Sequence, residues 1–223
     1  MRQTKRKAVK AGPLLWLTVA AGFLASLILY SKLPDQMPMH WNIAGEVDRY
    51  GSRLEGAFFL PAFNAALLLL LVWAPAIDPR RESYEKFKKF YRLIMWAIVL
   101  FMSILHGLIL AWSLGMKISI ALFVKAGVGL LFMILGNYMG KVKSNWFVGI
   151  KNPWTLESEE VWNKTHRLAG PLMFSAGLLI LIMAFIDKDF TFWLVISLAM
   201  ASALIPNIYS FLLFRKISNG GKI

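Results

Sequence analysis

The chain contains no cysteine. That removes disulfides, thiolate nucleophiles and cysteine-ligated metals. Acids are scarce, 12 against 25 lysines and arginines, and no Asp or Glu falls inside the six long apolar runs at 13–30, 57–77, 92–112, 118–138, 168–186 and 190–214. Proton-coupled pumps, many ion-coupled carriers and intramembrane aspartyl proteases use carboxylates within the bilayer. Those classes lose their chemical requirement here. The three histidines, His40, His106 and His166, lie in separate parts of the chain and no HExxH run occurs, so no shared metal, and no cofactor, is expected.

What the chain has in abundance is apolar residues, 58% of its 223, with a mean hydropathy of +0.58. A soluble domain of this length carries more charge than 17%. Each of the six runs is near the roughly 20 residues a bilayer-spanning helix needs. The pattern predicts an all-α, polytopic six-helix transmembrane bundle. The first run has a basic head, but its apolar core exceeds the roughly 7–15 residues of a cleaved signal, so it reads as an uncleaved helix. Nineteen basic residues precede run 1, separate runs 2 and 3, separate runs 4 and 5, or follow run 6; five occupy the opposite loops and Lys125 lies within run 4. This positive-inside asymmetry predicts both termini in the cytoplasm. The net charge of +13 then serves topology and contact with anionic membrane lipid rather than direct nucleic-acid binding.

Four stretches follow: 1–56, a first helix with an extracytoplasmic loop motif; 57–138, helices 2 to 4; 139–167, a cytoplasmic polar and aromatic loop; and 168–223, helices 5 and 6 with a short tail. The loop carries three tryptophans, two glycines and a proline, more than a connector needs. Gly140 and Gly149 permit positive φ, and Pro153 holds Asn152 extended. Thr155 is positioned to cap a short helix whose first turn carries Glu157, Glu159 and Glu160, with Glu160 paired to Lys164 one turn on and Arg167 facing the negative end. Trp154, Val161 and Leu168 share a seven-residue spacing, which suits a helix lying along the membrane surface. His166 is expected to bond a neighbouring backbone group or Glu. Tyr84, Phe87, Phe90 and Tyr91 recur at helical spacing and extend helix 3 toward the cytoplasm. Tight outside turns are expected at Gly115 and at Asp187 to Asp189.

Within the apolar runs, Gly129, Gly136 and Gly140 lie on one face of helix 4. Close packing inside the bundle and self-association both fit that spacing, so the oligomeric state stays open. Asn64, His106 and Lys125 fall at similar depth, about 10 Å below the outer surface, with Ser26 and Ser197 near the same level. Two readings stand: Lys125 snorkels outward, or the polar groups line a shared outward cavity able to take a ligand. Ser103 and His106 share a face of helix 3, a spacing too common to establish a catalytic dyad. Glu46 and Asp48 lie beside Arg49 and Arg53 and fall short of a calcium loop. His40 and Trp41 sit near the outer surface, with Trp41 read as an interfacial anchor.

Two motifs resemble a known family. The first comprises Asn137 to Gly140, Asn145, Gly149, Ile150, Lys151, Pro153, Trp154, Thr155, Leu156, Val161, Trp162 and Lys164 to Arg167, including His166. It resembles the signature of the SdpI/YfhL family of bacterial membrane proteins. The second runs from Leu33 to Gly45, through Pro34, Pro38, His40 and Trp41, followed by Glu46, Asp48, Tyr50 and Gly51. It is similar to a small amino-terminal domain of unknown function found in many members. The resemblance implies a non-enzymatic, multi-pass protein of the bacterial cell membrane that protects against a secreted peptide toxin. It also implies a signalling role in which a cytoplasmic transcriptional repressor is held at the membrane. A small carrier or channel and a membrane enzyme acting on lipid or peptide remain the alternatives; the first needs a continuous polar path and the second a nucleophile with its base.

Overall fold

The computed structural model describes residues 10–186 and 190–220. The order is α1 (Pro13–Leu29), a single 3-10 turn (Tyr30–Lys32), β1 (Gln36–Trp41), β2 (Val47–Ser52), α2 (Arg53–Ile77), α3 (Ser83–Ser113), α4 (Ile120–Met139), α5 (Pro153–Glu157), α6 (Glu159–Met183) and α7 (Phe190–Ser218). Six of the helices are long and apolar enough to cross a membrane. Large apolar side chains such as Leu17, Ile28, Trp73, Phe185 and Ile208 stand exposed on the helix surfaces, where acyl chains rather than water would meet them. The chain is an α-helical, multi-pass membrane bundle. Its only sheet among the described residues is the two-stranded β1–β2 hairpin, which occupies the loop between the first two spanning helices.

The hairpin is short and irregular because its sequence breaks the ladder. Pro38 has no N–H to donate, and the pairing shifts register between Pro38 and Trp41. Gly45 closes the turn at φ 80°. At the turn, the Glu46 backbone N–H donates to the Asn42 side chain over 3.0 Å. Met37 is fully buried and lies under the hairpin against Gly56, where a Cβ would sit 2.4 Å from the Met37 Cβ. Ser52 caps α2 by accepting from the Glu55 N–H at 3.2 Å.

Two groups of helices result. α1, α2 and α3 pack on one another, and α2 and α3 on the hairpin, while α4 packs against α6 and α6 against α7, with α3 touching α4 between them. The α4–α6 contact is made almost without side chains. A Cβ on Gly136 would meet the Gly170 carbonyl at 2.7 Å, and one on Gly129 the Gly177 carbonyl at 2.8 Å. In return, a Cβ on Gly170 would meet the Gly136 carbonyl at 2.9 Å, and one on Gly177 the Gly129 carbonyl at 2.6 Å. The small-residue face of α4 is therefore occupied inside the chain, which answers the sequence's choice between internal packing and self-association for that face.

Several local expectations change. α6 is continuous from Glu159 into the membrane span, so Val161 and Leu168 belong to a spanning helix and not to one lying on the surface. For the same reason Arg167 faces no helix end. Asn152, not Thr155, caps α5, and Ser158 caps α6. Thr155 is instead the third helical residue of a capping box, its hydroxyl accepting from the Asn152 N–H at 3.0 Å. Gly140 has an ordinary helical φ of −65°, whereas Gly149 lies at φ 117° and Gly115 at φ 95°. The expected turn at Asp187 to Asp189 lies outside the described residues.

Candidate functional site

At the end of the bundle away from the hairpin, the polar segment after α4 is organised around buried polar side chains. Asn145 is fully buried. Its carbonyl oxygen accepts from the backbone N–H groups of Phe147 and Val148 at 2.9 and 2.7 Å. Its amide donates to the Lys143 and Val148 carbonyls, each at 2.8 Å. One side chain thus holds a turn that has no helical or strand bonding of its own. The Tyr84 hydroxyl donates to Asp78 at 2.8 Å, with the Asn145 carbonyl oxygen 3.1 Å from the same hydroxyl. Asp78, 2% exposed, also accepts from the backbone N–H groups of Trp146 and Arg80 at 2.9 and 2.6 Å. Arg80 donates to the Ser144 hydroxyl and, at 2.6 Å, to the Leu156 carbonyl. The α2–α3 elbow and the segment after α4 are therefore a single hydrogen-bonded unit.

A second set of bonds ties that unit to α6 and α7. His166 is fully buried and stacks on Trp162 with ring centroids 4.1 Å apart. Its Nδ1 donates to the Trp162 carbonyl at 2.7 Å, which leaves Nε2 free to accept from the Ile150 N–H at 3.0 Å. Gly149 makes this approach possible, since a Cβ there would sit 2.4 Å from the His166 Nε2. The Trp162 Nε1 donates to the Val142 carbonyl at 2.8 Å. The Asn152 amide donates to Asn207 and Ser210 on α7, each at 2.9 Å. Trp154 donates to the same Ser210 hydroxyl and packs on Phe211, so it docks onto α7. Thr155 donates to the Ile150 carbonyl at 2.9 Å. Pro153 occupies the first turn of α5. Lys151 donates to the Phe147 carbonyl at 2.9 Å, and Lys164 pairs with Glu160 at 2.6 Å. Lys151 and Arg167 are exposed, as is Trp146. Beside this unit lies a polar cleft of about 500 Å³ lined by Arg81, Lys86, Glu157 and Glu159 among others.

The sequence singled out Asn145, Gly149, Trp162 and His166 but not Asp78, Arg80, Tyr84, Asn152 or Ser210. Asn152 lies inside the motif but reads only as the extended residue before Pro153, and Tyr84 only as part of an aromatic stripe; the others lie outside the 137–167 segment and carry one weak signal each. Asp78 is a lone acid between an apolar run and Pro79, and Asn207 and Ser210 are polar positions just after Pro206 within α7.

At the hairpin end, a cavity of about 690 Å³ opens between the hairpin and helices α2, α3, α4 and α7. Lys125, Pro38, His40 and Trp41 line it; Asn64 and His106 do not. Asn64 is 3% exposed and donates to the Val99 carbonyl at 3.2 Å and the Ser103 hydroxyl at 3.0 Å. His106 is 2% exposed and bonds the Ser26 hydroxyl at 2.9 Å, the same hydroxyl that donates to the Ala57 carbonyl at 2.5 Å. These polar groups bond across α1, α2 and α3 and do not line the space that Lys125 lines, while the Asn64 Oδ1 and His106 Nδ1 stay buried without a hydrogen-bond partner among the described residues. Ser103 and His106 are each committed elsewhere and make no bond to one another. His40 pairs with Asp48 at 2.6 Å, and Trp41 meets Trp112 edge to face with centroids 6.3 Å apart. No group of three or more His, Asp or Glu residues arranged to hold a metal occurs among the described residues. Pro34 lies in the approach to β1 and Gly45 at its turn.

Comparison with known proteins follows this division into two ends. The model of the SdpI/YfhL protein family matches residues 141–210, which span the polar segment after α4, α5, α6 and most of α7 but not the α2–α3 elbow. A domain of unknown function, DUF1648, matches residues 17–65, from α1 through the hairpin into α2. Immunity protein SdpI of Bacillus subtilis (strain 168) is 27% identical over 204 residues, covering 92% of this chain and 95% of that protein. The uncharacterized membrane protein YbgB of the same organism is 36% identical over 67 residues, 30% of this chain and 69% of that protein. No solved structure matches the chain. With both motifs matched in order on a six-helix membrane bundle, and a relative aligned nearly end to end, the chain belongs to the SdpI/YfhL family.

Proposed function

We propose that this chain is a membrane immunity protein that protects its cell from a secreted, membrane-attacking peptide toxin. The observation that carries the reading is the nearly end-to-end similarity to Immunity protein SdpI, 92% of this chain against 95% of that one. In this reading both termini and the Asn145–His166 unit face the cytoplasm, as the basic residues favour, and the hairpin faces outward to where a secreted toxin arrives. Residues 137–167 supply a rigid inner surface. The exposed Trp146 and the polar cleft at Arg81, Lys86, Glu157 and Glu159 offer the aromatic and charged groups that a soluble partner uses. That partner is a cytoplasmic transcriptional repressor, held at the membrane while toxin is present.

The chemistry of the site favours binding over catalysis: its buried polar groups are engaged in holding backbone. The test is survival. Toxin-sensitive cells expressing this chain should grow at toxin concentrations that kill cells carrying an empty vector, and Trp162→Ala at equal membrane level should reduce that protection. Equal killing with and without the chain, across the peptide toxins of its own bacterium, would sink the reading.

A further inference from the structure

The cavity at the hairpin end has walls and charges that do not match. Its walls are apolar and mostly aliphatic, with Leu60 of α2, Ile109 of α3, Val124 and Val128 of α4 and Val195 and Ala199 of α7, joined by the rings of Trp41, Phe59 and Phe192. Two cations, Lys125 and Arg49, and one acid, Glu55, also line it, with His40 already committed to Asp48. Lys125 is half-buried, and among the described residues it makes neither a hydrogen bond nor an ion pair. It lies five residues into α4, about 7.5 Å along the axis from the first residue of that helix. At that depth an ammonium is tolerated only with water or a counter-anion in reach. The long stem can carry the charge up toward the mouth, where Arg49 stands.

The volume of about 690 Å³ is in the range of small-molecule sites, roughly 300–1,000 Å³. What fills it must suit the walls. A threaded peptide segment would bring backbone N–H and C=O groups against aliphatic side chains that cannot bond them, at a cost of kilocalories per group. An acyl chain brings none. A phosphate at the mouth meets the excess of cations over acids. We propose that this cavity binds one membrane phospholipid, with an acyl chain between α3, α4 and α7 and its phosphate against Lys125 and Arg49. The site is independent of immunity: it follows from the cavity, its walls and the free lysine.

The test uses the full chain purified in mild detergent and a phosphatidylglycerol carrying a photoactivatable diazirine in mid-chain. Crosslinks are mapped by mass spectrometry. They should concentrate on Val124–Val128 and Val195–Ala199. Unlabelled phosphatidylglycerol should compete, as should phosphatidylethanolamine, which shares the phosphate; diacylglycerol, which has the tails alone, should not. Lys125→Met should weaken phosphatidylglycerol competition about tenfold, the scale of a lost charged hydrogen bond. The exposed Lys117→Met should leave it unchanged. Ala199→Trp and, separately, Ala121→Trp should fill the space and remove the crosslinks while leaving melting temperature near that of the parent. Crosslinks spread evenly over the outer helix faces would overturn the proposal. So would crosslinks that persist in a well-folded filled variant, equal competition by diacylglycerol, or competition by an apolar peptide with a free carboxyl terminus where phospholipid fails.

Discussion

Two glycines of the same polar segment should respond to alanine in opposite ways. Gly149→Ala places a methyl 2.4 Å from the His166 Nε2 and 3.2 Å from the Trp162 ring, at a φ of 117°. A side chain held in such backbone costs about 1–3 kcal/mol. The imidazole has little room to retreat, because it stacks on Trp162 and its Nδ1 is held by the Trp162 carbonyl. Displacing it also breaks the Ile150–His166 bond, worth about 0.5–1.5 kcal/mol. Together these remove roughly 2–4 kcal/mol from the unit. Gly140→Ala adds a methyl at ordinary contact distance, 3.6 Å from Arg167, on backbone with a φ of −65°. It should be neutral or up to about 1 kcal/mol stabilising, because alanine restricts the unfolded chain. Purified variants in one detergent, followed by thermal unfolding and by limited proteolysis between residues 140 and 152, give the comparison. Gly149→Ala should lower the melting temperature and expose the segment to cleavage while membrane levels stay normal. Parental stability and protease resistance in Gly149→Ala would refute the account of how His166 is held.

Gly136→Ala drives a Cβ to 2.4 Å from the Phe174 backbone nitrogen, so α4 and α6 must separate; a fall in melting temperature and weakened inter-helix crosslinking should follow, and an unchanged protein would contradict the close crossing. Asp78→Ala strips three donors of their acceptor and should cost about 2–4 kcal/mol, read as loosened proteolytic protection at both the 78–83 elbow and residues 143–148; loosening at only one of them would deny that they form one unit. Trp154→Ala removes the contacts with Ser210 and Phe211 but not the spanning helices, so membrane level should hold while protection from toxin falls. The absence of native cysteine makes a topology test direct: Ala44→Cys at the exposed hairpin turn should react with an impermeant thiol reagent on intact cells and Lys143→Cys should not, and the reverse pattern would invert the orientation.

The helices were legible because each spanning run is long, apolar and bounded by charge or by turn residues; the structure starts α2 at Arg53, α3 at Ser83 and α6 at Glu159, before the apolar runs begin, and carries α7 on to Ser218. The continuity of α6 was not, since Glu159, Glu160, Lys164 and Arg167 look like a loop until Ser158 is seen to cap them and Val161, Trp162, Thr165 and His166 are found buried on one face. Gly149 and His166 were read as members of one motif, yet the bond that Gly149 makes possible, from the Ile150 N–H to His166, is a meeting of a turn with a helix face 16 residues apart, and periodicity says nothing about such a meeting. The outer polar layer shows a different failure. Equal depth in the membrane does not specify azimuth: Asn64 and His106 turn toward neighbouring helices, where the Asn64 amide and the His106 Nε2 find partners, whereas Lys125 turns to the cavity. Asp78 escaped because an acid beside a proline at the end of a helix reads as an ordinary solvated turn, and only the Trp146 N–H, 68 residues on, joined to its local donors Arg80 and Tyr84, shows otherwise.

The glycine crossing of α4 and α6 has a consequence for how the chain is made. α4 is complete at Met139 and α6 at Met183, so during synthesis at about 5–20 residues per second the first helix waits roughly 2–9 s for its partner. Over that interval the bare carbonyls and the shallow groove at Gly129 and Gly136 have no protein against them. The segment that must pass through the ribosome meanwhile is the one containing Asn145, Asn152 and Ser158, which sets where α6 begins. A translational pause placed between the two helices should lengthen the time for which α4 lacks the partner that covers its glycines.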